Sequence, residues 1–192
     1  MKRYDIINRL IETHGYKSYL EIGVVEGGCD SYPKIACEYK VGVDPVESQH
    51  TTHAMTSDKY FANYKDKFDI IFVDGLHFAE QVYLDIINSL NILNEGGTIV
   101  CHDMNPPSEI MQEIPRRSIG WTGDCWKAWV ELRIEEENLS MLVVDTDYGC
   151  GIIQRGKQKL LEIDVPMTYD SLSKNRKEWL NLISVQEWLE SL

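Results

Sequence analysis

Unbroken runs of apolar residues alternate along this chain with segments in which apolar residues recur at helical spacing. The run at residues 70–73 is flanked by acidic residues and closed by a glycine, which predicts a strand buried on both faces of a parallel sheet. Residues 78–93 carry one apolar stripe with a helical period, which predicts a long amphipathic helix after that strand. Strands and helices that alternate in this way predict an α/β fold.

The same two patterns divide the rest of the chain. Further helices are predicted at residues 4–14, 31–39, 57–64 and 126–138, and two more after residue 169. Further strands are predicted at residues 19–23, 41–44, 52–55, 98–101, 141–144 and 148–153. The last two strands are close enough in sequence to form an antiparallel hairpin, which we expect at the sheet edge. We expect one domain over residues 1–192, with the C-terminal helices of residues 169–192 packed on or beside it.

Composition narrows the class of protein. Hydrophobic residues make up 43% of the 192 residues and charged residues 26%, as is usual for a globular domain. The chain shows neither a long apolar run nor the apolar block of a signal peptide, so a cytoplasmic protein is expected. Five cysteines without a Cys-x-x-Cys pair argue against a disulfide framework and a thiolate zinc site. A net charge of -12 disfavours nucleic acid and anionic membranes as partners.

A glycine-containing loop follows the first predicted strand. Gly23 and Gly27 allow a backbone to approach a ligand closely, and Asp44 ends the next strand about twenty residues later. An acid at that position accepts hydrogen bonds from a ribose in dinucleotide folds. Val25 stands where a nicotinamide fingerprint needs its second glycine, so a bound pyrophosphate is disfavoured.

The spacing Glu21-x-Gly23-x-x-x-Gly27 resembles motif I of class I S-adenosylmethionine-dependent methyltransferases. Residues 41–44, 55–58, 68–74 and 96–100 resemble later motifs of that family in the same order. The resemblance implies a doubly wound, seven-stranded, mostly parallel sheet with one antiparallel edge strand. It also implies S-adenosylmethionine as cofactor, with Asp44 on the ribose and residues near the adenine at 55–58. The residues that the resemblance assigns to the cofactor are Glu21, Gly23, Gly27, Asp44, Ser57, Asp58 and Asp74.

Acids and histidines also follow two strands that would be neighbours. Asp74 and His77 come after one strand, and His102 and Asp103 end the next. Carboxylate oxygens suit Mg²⁺, Mn²⁺ or Ca²⁺. A cation that binds a substrate hydroxyl lowers its pKa, and a nearby histidine can then accept the proton. The sequence therefore predicts a candidate metal site with Asp74 and Asp103 as oxygen ligands, beside a histidine that can accept a proton.

This arrangement resembles the metal-dependent sugar O-methyltransferases of antibiotic pathways. The resemblance implies Asp74, His102 and Asp103 as the metal ligands and His77 as general base. It also implies a small-molecule hydroxyl as methyl acceptor, with a sugar as the first expectation. The sequence departs from that group at His102, where the group has an acidic residue. Imidazole is a softer ligand than carboxylate, so His102 would favour Mn²⁺ or Zn²⁺ over Mg²⁺. His102 could instead hydrogen-bond the substrate. Homo-oligomerisation is compatible with the sequence.

Three other functions stay open at this point. A metal-independent O- or N-methyltransferase would use His77 or His102 alone. A catalytically inactive protein on the same fold would bind the cofactor without turnover. A metal hydrolase would leave the glycine loop and Asp44 without a role. For the acceptor, Trp121 in the long loop at residues 104–124 is a candidate lid residue, and Arg116 and Arg117 are candidates to bind an acidic group.

Overall fold

The computed structural model describes residues 1–24 and 31–192. The described part contains an eight-stranded sheet with the strand order β3-β2-β1-β4-β5-β7-β6-β8. The strands are β1 Ser18–Ile22, β2 Tyr39–Asp44, β3 His53–Ala54, β4 Phe68–Val73, β5 Leu93–Cys101, β6 Leu139–Val144, β7 Cys150–Arg155 and β8 Leu182–Ile183. The helices are α1 Arg3–His14, α2 Ser57–Asn63, α3 Ala79–Ile92, α4 Glu109–Gln112, α5 Cys125–Glu135, α6 Tyr169–Trp179 and α7 Val185–Ser191.

The α/β class and the mostly parallel sheet are confirmed. Strands β1 to β5 pair in parallel, whereas β7 is antiparallel to both of its neighbours, β5 and β6. Two details differ from the prediction: the sheet has eight strands rather than seven, and the antiparallel strand lies inside the sheet rather than at its edge. The short strand β8 pairs with the outer side of β6 and so covers the expected edge.

Helices cover both faces of the sheet. Successive side chains of the central strand β4 point to opposite faces, and each face has its own buried cluster. Ile71 and Val73 of β4 belong to a cluster with side chains of α3, α5 and α6. Ile70 and Phe72 belong to a second cluster with side chains of α1 and α7. The continuous apolar run of β4 is therefore explained by burial on both faces.

The helix predicted at residues 31–39 is wrong. A single 3₁₀ turn at Tyr32–Lys34 is followed by extended backbone at Ile35, and β2 already begins at Tyr39. The backbone N–H of Tyr39 donates to the carbonyl of Lys17, which draws the segment into the pairing between β1 and β2. Tertiary pairing thus overrides the local helix signal.

Side chains cap two of the helices. Thr56 caps α2, since its hydroxyl accepts from the backbone N–H of Lys59. Ser184 and Glu187 form a capping box at α7, with bonds of 3.2 and 2.7 Å. Within residues 1–24 and 31–192, no helix is both long enough and apolar enough to cross a bilayer.

Candidate active site

The parallel strands bring the predicted site residues to one edge of the sheet. Gly23 follows β1, Asp44 ends β2 and Asp74 follows β4. His102 and Asp103 follow β5. In open α/β sheets, ligands bind at the carboxyl ends of the strands. Two adjoining cavities lie at this edge.

The first cavity has a volume of about 320 Å³ and is lined by most of the residues expected to bind the cofactor. These are Gly23, Asp44, Ser57, Asp58 and Asp74. Thr56, which belongs to the range 55–58 assigned to the adenine, and Gln81, which the sequence did not single out, complete the end of the cavity near α2 and α3. Gly27 lies outside the described residues, so its expected role is untested.

Gly23 is required where β1 meets the end of β4. Its φ of +91° is in the left-handed region, and a Cβ at this position would lie 2.2 Å from the carbonyl oxygen of Asp74. The backbone N–H of Gly23 donates to Val43, and that of Asp74 donates to Ile22. The ends of β1 and β4 therefore approach each other backbone to backbone at Gly23, where a side chain would not fit.

The second cavity has a volume of about 470 Å³ and shares Gly23, Asp74 and Gly75 with the first. Its polar wall includes Arg3, Glu21, His77, His102 and Asp103, and its aromatic wall includes Trp121 and Tyr148. Glu21, predicted from its motif to contact the cofactor, thus lines this second cavity and not the first. Two ligands, one bound in each cavity, would therefore meet beside Asp74.

His77 lies between two carboxylates. Its Nε2 is 3.3 Å from Oδ1 of Asp74, and its Nδ1 is 3.1 Å from Oδ2 of Asp103. Burial acts to lower the pKa of His77, but the hydrogen bond and charge of Asp74 and the charge of Asp103 raise it above its ordinary value. The ring of Trp121 stacks on that of His77, with centroids 5.3 Å apart. This contact places Trp121 over the cavity, as expected for a lid residue.

His102 is buried among three acids. Its Nδ1 is 3.1 Å from Oδ1 of Asp103 and 3.3 Å from Oδ1 of Asp74, and its Nε2 is 3.7 Å from Asp147. Neither ring nitrogen has a partner with hydrogen-bond geometry among the described residues. Burial acts to lower the pKa of His102, but the charges of Asp74 and Asp103 raise it well above its ordinary value.

The backbone conformation at Asp103 sets the direction of its side chain. Its φ is 64°, an uncommon value for a residue other than glycine, although aspartate tolerates it better than most. The resulting turn lets one carboxylate contact both His77 and His102. A sparsely populated conformation held at a cluster of charged groups is typical of functional sites.

The N-terminal helix contributes a cation that the sequence did not reveal as a site residue. Nη1 of Arg3 is 2.8 Å from Asp74, and its Nε is 3.0 Å from Asp147. Burial acts to raise the pKa of Asp147, but the nearby His102 ring and the hydrogen bonds and charge of Arg3 and Lys2 hold it well below its usual range. Arg3 therefore holds the carboxylate of Asp74 from a distant helix, α1.

The donor set of Asp74, His102 and Asp103 fits a divalent cation. One potential ligand atom from each residue lies within 4.8 Å of the others. The buried nitrogen of His102 lacks a well-directed hydrogen bond, as a metal-ligating nitrogen would without its ion. Two oxygens and one imidazole nitrogen suit Mn²⁺ or another borderline ion better than Mg²⁺.

Glu21 is a buried acid, with 3% of its surface exposed. The hydroxyl of Tyr19 donates to its carboxylate. Burial raises the pKa of Glu21 to about 8, against the lowering effect of the Tyr19 hydrogen bond. The raised pKa favours the protonated form of this carboxyl near neutral pH.

Arg116 and Arg117 bind within their own loop. The guanidinium of Arg116 donates to the carbonyls of Ser118 and Ile119, and Arg117 pairs with Glu113. Neither arginine is among the lining residues of the two cavities. Their suggested contact with an acidic acceptor group finds no support in this arrangement.

Comparison with known proteins agrees with the geometry. Residues 20–104 match the family model described as a methyltransferase domain. This range contains the last three residues of β1, all of β2, β4 and β5, and the acids that end or follow β2, β4 and β5. No curated protein is significantly similar to the chain in sequence.

Solved structures share the fold at low sequence identity. An O-methyltransferase from Bacillus cereus in complex with SAH is 16% identical, with a TM-score of 0.56 over 81% of this chain and 80% of that one. The O-methyltransferase TomG from Streptomyces achromogenes, involved in tomaymycin synthesis and bound to SAM, is 12% identical, with a TM-score of 0.57 over 80% and 79%.

The methyltransferase MycE of the mycinamycin pathway, in complex with Mg, SAH and mycinamycin VI, is 16% identical, with a TM-score of 0.52. The match covers 85% of this chain and 51% of MycE. The matched domain and the shared fold both agree with the order of motifs along the chain.

Proposed function

We propose that this chain is an S-adenosylmethionine-dependent methyltransferase and that it methylates a hydroxyl of a small molecule; the match of residues 20–104 to a methyltransferase domain supports this. The observation that carries the proposal is the wall of Gly23, Asp74 and Gly75 shared by the two cavities. The first cavity holds the nucleoside of the cofactor, and the second holds the acceptor. Both substrates then meet at Asp74, which is the alignment that methyl transfer requires.

Different residues act in the two cavities: some bind the cofactor, and His77 acts on the acceptor. Asp44 accepts hydrogen bonds from the ribose, and the backbone at Gly23 lets the cofactor lie close to the sheet. His77 accepts the proton of the acceptor hydroxyl as its oxygen attacks the methyl group. Bound S-adenosylmethionine would supply the methyl group: one oxygen–carbon bond would form as the sulfur–carbon bond breaks, and S-adenosylhomocysteine would be the other product. His77 releases the proton to solvent after product departure.

A divalent cation held by Asp74, His102 and Asp103 would lower the pKa of a bound hydroxyl. Asp103 and Asp74 both contact His77 as well, so the same carboxylates orient the base. The acceptor class that we favour is a sugar or a glycosylated metabolite. Support comes from the polar wall of the second cavity and from MycE, which is described in complex with Mg and mycinamycin VI.

Cofactor binding tests the first cavity. We expect Asp44→Ala to weaken the binding of S-adenosylhomocysteine roughly tenfold to hundredfold, because two ribose hydroxyls lose a charged acceptor. Oδ1 of Asp44 also accepts from the backbone N–H of Val46 at 2.7 Å, so the alanine variant loses a turn contact as well. Asp44→Asn retains that acceptor and removes only the charge. Isothermal titration calorimetry on both variants separates the two effects, and unchanged affinity in both would remove Asp44 from the cofactor site.

Cation binding tests the second cavity. We expect wild-type protein to bind Mn²⁺ at one site with S-adenosylhomocysteine present, and Asp103→Asn to weaken this at least about tenfold. Asparagine tolerates the left-handed backbone at position 103, so the fold is retained. Asp145→Asn, an exposed acid of the same end of the sheet, is the matched control. Calorimetry and electron paramagnetic resonance of Mn²⁺ report binding independently of turnover.

A metal-independent methyltransferase is the second candidate, favoured by one observation. Arg3 already pairs with Asp74 at 2.8 Å and supplies part of the positive charge that a cation would bring. This candidate predicts full turnover in the presence of a chelator and no Mn²⁺ affinity that depends on Asp103. The first candidate predicts loss of turnover with chelator and recovery with Mn²⁺.

A further inference from the structure

A buried acid behind the first cavity has no part in the chemistry described so far. Asp85 lies one turn after Gln81 on α3, and 1% of its surface is exposed. Its Oδ1 accepts from Nε2 of Gln81 at 3.0 Å. Burying a carboxylate is costly unless its contacts repay the loss of water. Asp85 lies behind a residue that lines the cavity, whereas it does not line the cavity itself.

The side-chain amide of Gln81 is surrounded by acceptors on one side. Its Nε2 is 3.0 Å from Oδ1 of Asp58, 3.0 Å from Oδ1 of Asp85 and 3.3 Å from the hydroxyl of Ser57. Carboxylates only accept hydrogen bonds, so the amide must turn its NH₂ group toward the two acids. Its carbonyl oxygen Oε1 has no hydrogen-bond partner among residues 1–24 and 31–192. What Gln81 can offer a ligand in the cavity is therefore an acceptor.

We propose that Asp85 fixes the orientation of the Gln81 amide so that Gln81 Oε1 accepts a hydrogen bond from the 6-amino group of the adenine ring. Gln81 is then a specificity-determining residue for the nucleobase, and Asp85 is a positioning residue. Asp58, whose carboxylate also lines the cavity, presents a second acceptor. This inference rests on the proposed function, because it places the cofactor's nucleoside in the first cavity.

An acceptor-lined site discriminates by chemistry rather than by shape. A purine with an oxygen at position 6 has nearly the same size as adenine, but it would oppose the acceptors of Gln81 and Asp58 with another acceptor. Leaving such groups unpaired costs more than a hydrogen bond gains. The affinity ratio between the 6-amino and 6-oxo forms of one ligand therefore reports the orientation of the amide.

The test compares S-adenosylhomocysteine with S-inosylhomocysteine by calorimetry on the full chain at pH 8. Burial raises the pKa of Asp85 to about 6, so its carboxylate is ionised under these conditions. Wild-type protein is expected to prefer the 6-amino compound roughly tenfold to hundredfold. Gln81→Met, which keeps the length of the side chain without an amide, should reduce this ratio at least about threefold, and the remaining preference would come from Asp58.

Asp85→Asn separates positioning from packing. The variant keeps the shape of the acid but can also donate, so the Gln81 amide is free to turn and the affinity ratio should fall toward that of Gln81→Met. A purely structural role of Asp85 would weaken both ligands by the same factor and leave the ratio unchanged, which would overturn the inference. Glu80→Gln, which removes an exposed charge from the same helical turn, should leave both affinities unchanged.

The outcomes also separate this inference from the proposed function. Equal binding of both compounds by wild-type protein would leave the cofactor site standing and refute the role of Gln81. Binding of neither compound would refute the cofactor site and the inference together. Thermal unfolding of each variant confirms that an altered ratio comes from folded protein.

Discussion

Replacing His77 with alanine is expected to lower turnover by roughly 10²–10⁴, with the affinity for S-adenosylhomocysteine changed by less than about twofold. A positioned general base accounts for a rate effect of that size, and His77 is the histidine that lines the second cavity with part of its ring accessible. Its absence from the wall of the first cavity is the reason that cofactor affinity should persist. The measurement is S-adenosylhomocysteine formation with a hydroxyl acceptor found by screening, beside calorimetry of cofactor binding.

Two further variants sharpen this experiment. His77→Gln retains a hydrogen-bonding group between Asp74 and Asp103 but cannot accept a proton to the same extent, so it should be nearly as slow as His77→Ala. His14→Ala removes an exposed histidine far along α1 and should leave turnover unchanged. Near wild-type turnover in His77→Gln would assign His77 to positioning. A collapse of cofactor affinity in His77→Ala would contradict the division between the two cavities.

The sequence predicted well those strands and helices whose local apolar pattern is enough to specify them. The strand at residues 68–73 is marked by its apolar run, and the helix after it is marked by a stripe with helical period. The helix predicted at residues 31–39 failed because pairing with β1 decides where β2 begins. The two-residue strand β8 has no pattern of its own and exists through its backbone bonds to β6. Long-range pairing is the information that a local pattern lacks.

The residues of the candidate site also include some that the sequence could predict and some that it could not. Residues that end strands, such as Asp44, Asp74 and Asp103, were predictable because parallel strands bring their carboxyl ends to one edge. Arg3 was not, since 71 residues separate it from Asp74 and its neighbourhood shows only the polar start of a helix.

Gln81 and Asp85 carried a weaker signal. They lie four residues apart on α3, and an acid within the apolar stripe of a helix is a sign of a buried polar contact. That spacing could have identified the pair, although not the cavity that it faces. Site residues supplied by distant elements thus stay hidden until the fold is known.

Glu21→Gln is expected to be more stable than the wild type at pH 8, by an amount on the order of 4 kcal/mol that disappears near pH 4.5. Burial raises the pKa of Glu21 from 4.5 to about 8 in the folded protein. Between these values the unfolded chain loses the proton while the folded protein retains it. The folded state then binds more protons, so the free energy of unfolding falls as pH rises through this window and levels off above it.

The comparison of variant with wild type isolates this one group, because other titrating residues contribute equally to both proteins. Urea unfolding at pH 5, 6.5 and 8 should show a difference in the free energy of unfolding that grows at each step. Glu38→Gln, which changes an exposed acid, should show a difference that stays near zero. The hydroxyl of Tyr19 can still donate to the amide oxygen of glutamine, so the substitution keeps that contact. A constant difference across the pH range would mean that Glu21 is ionised in the folded protein, and its carboxylate would then add a negative charge to the wall of the acceptor cavity.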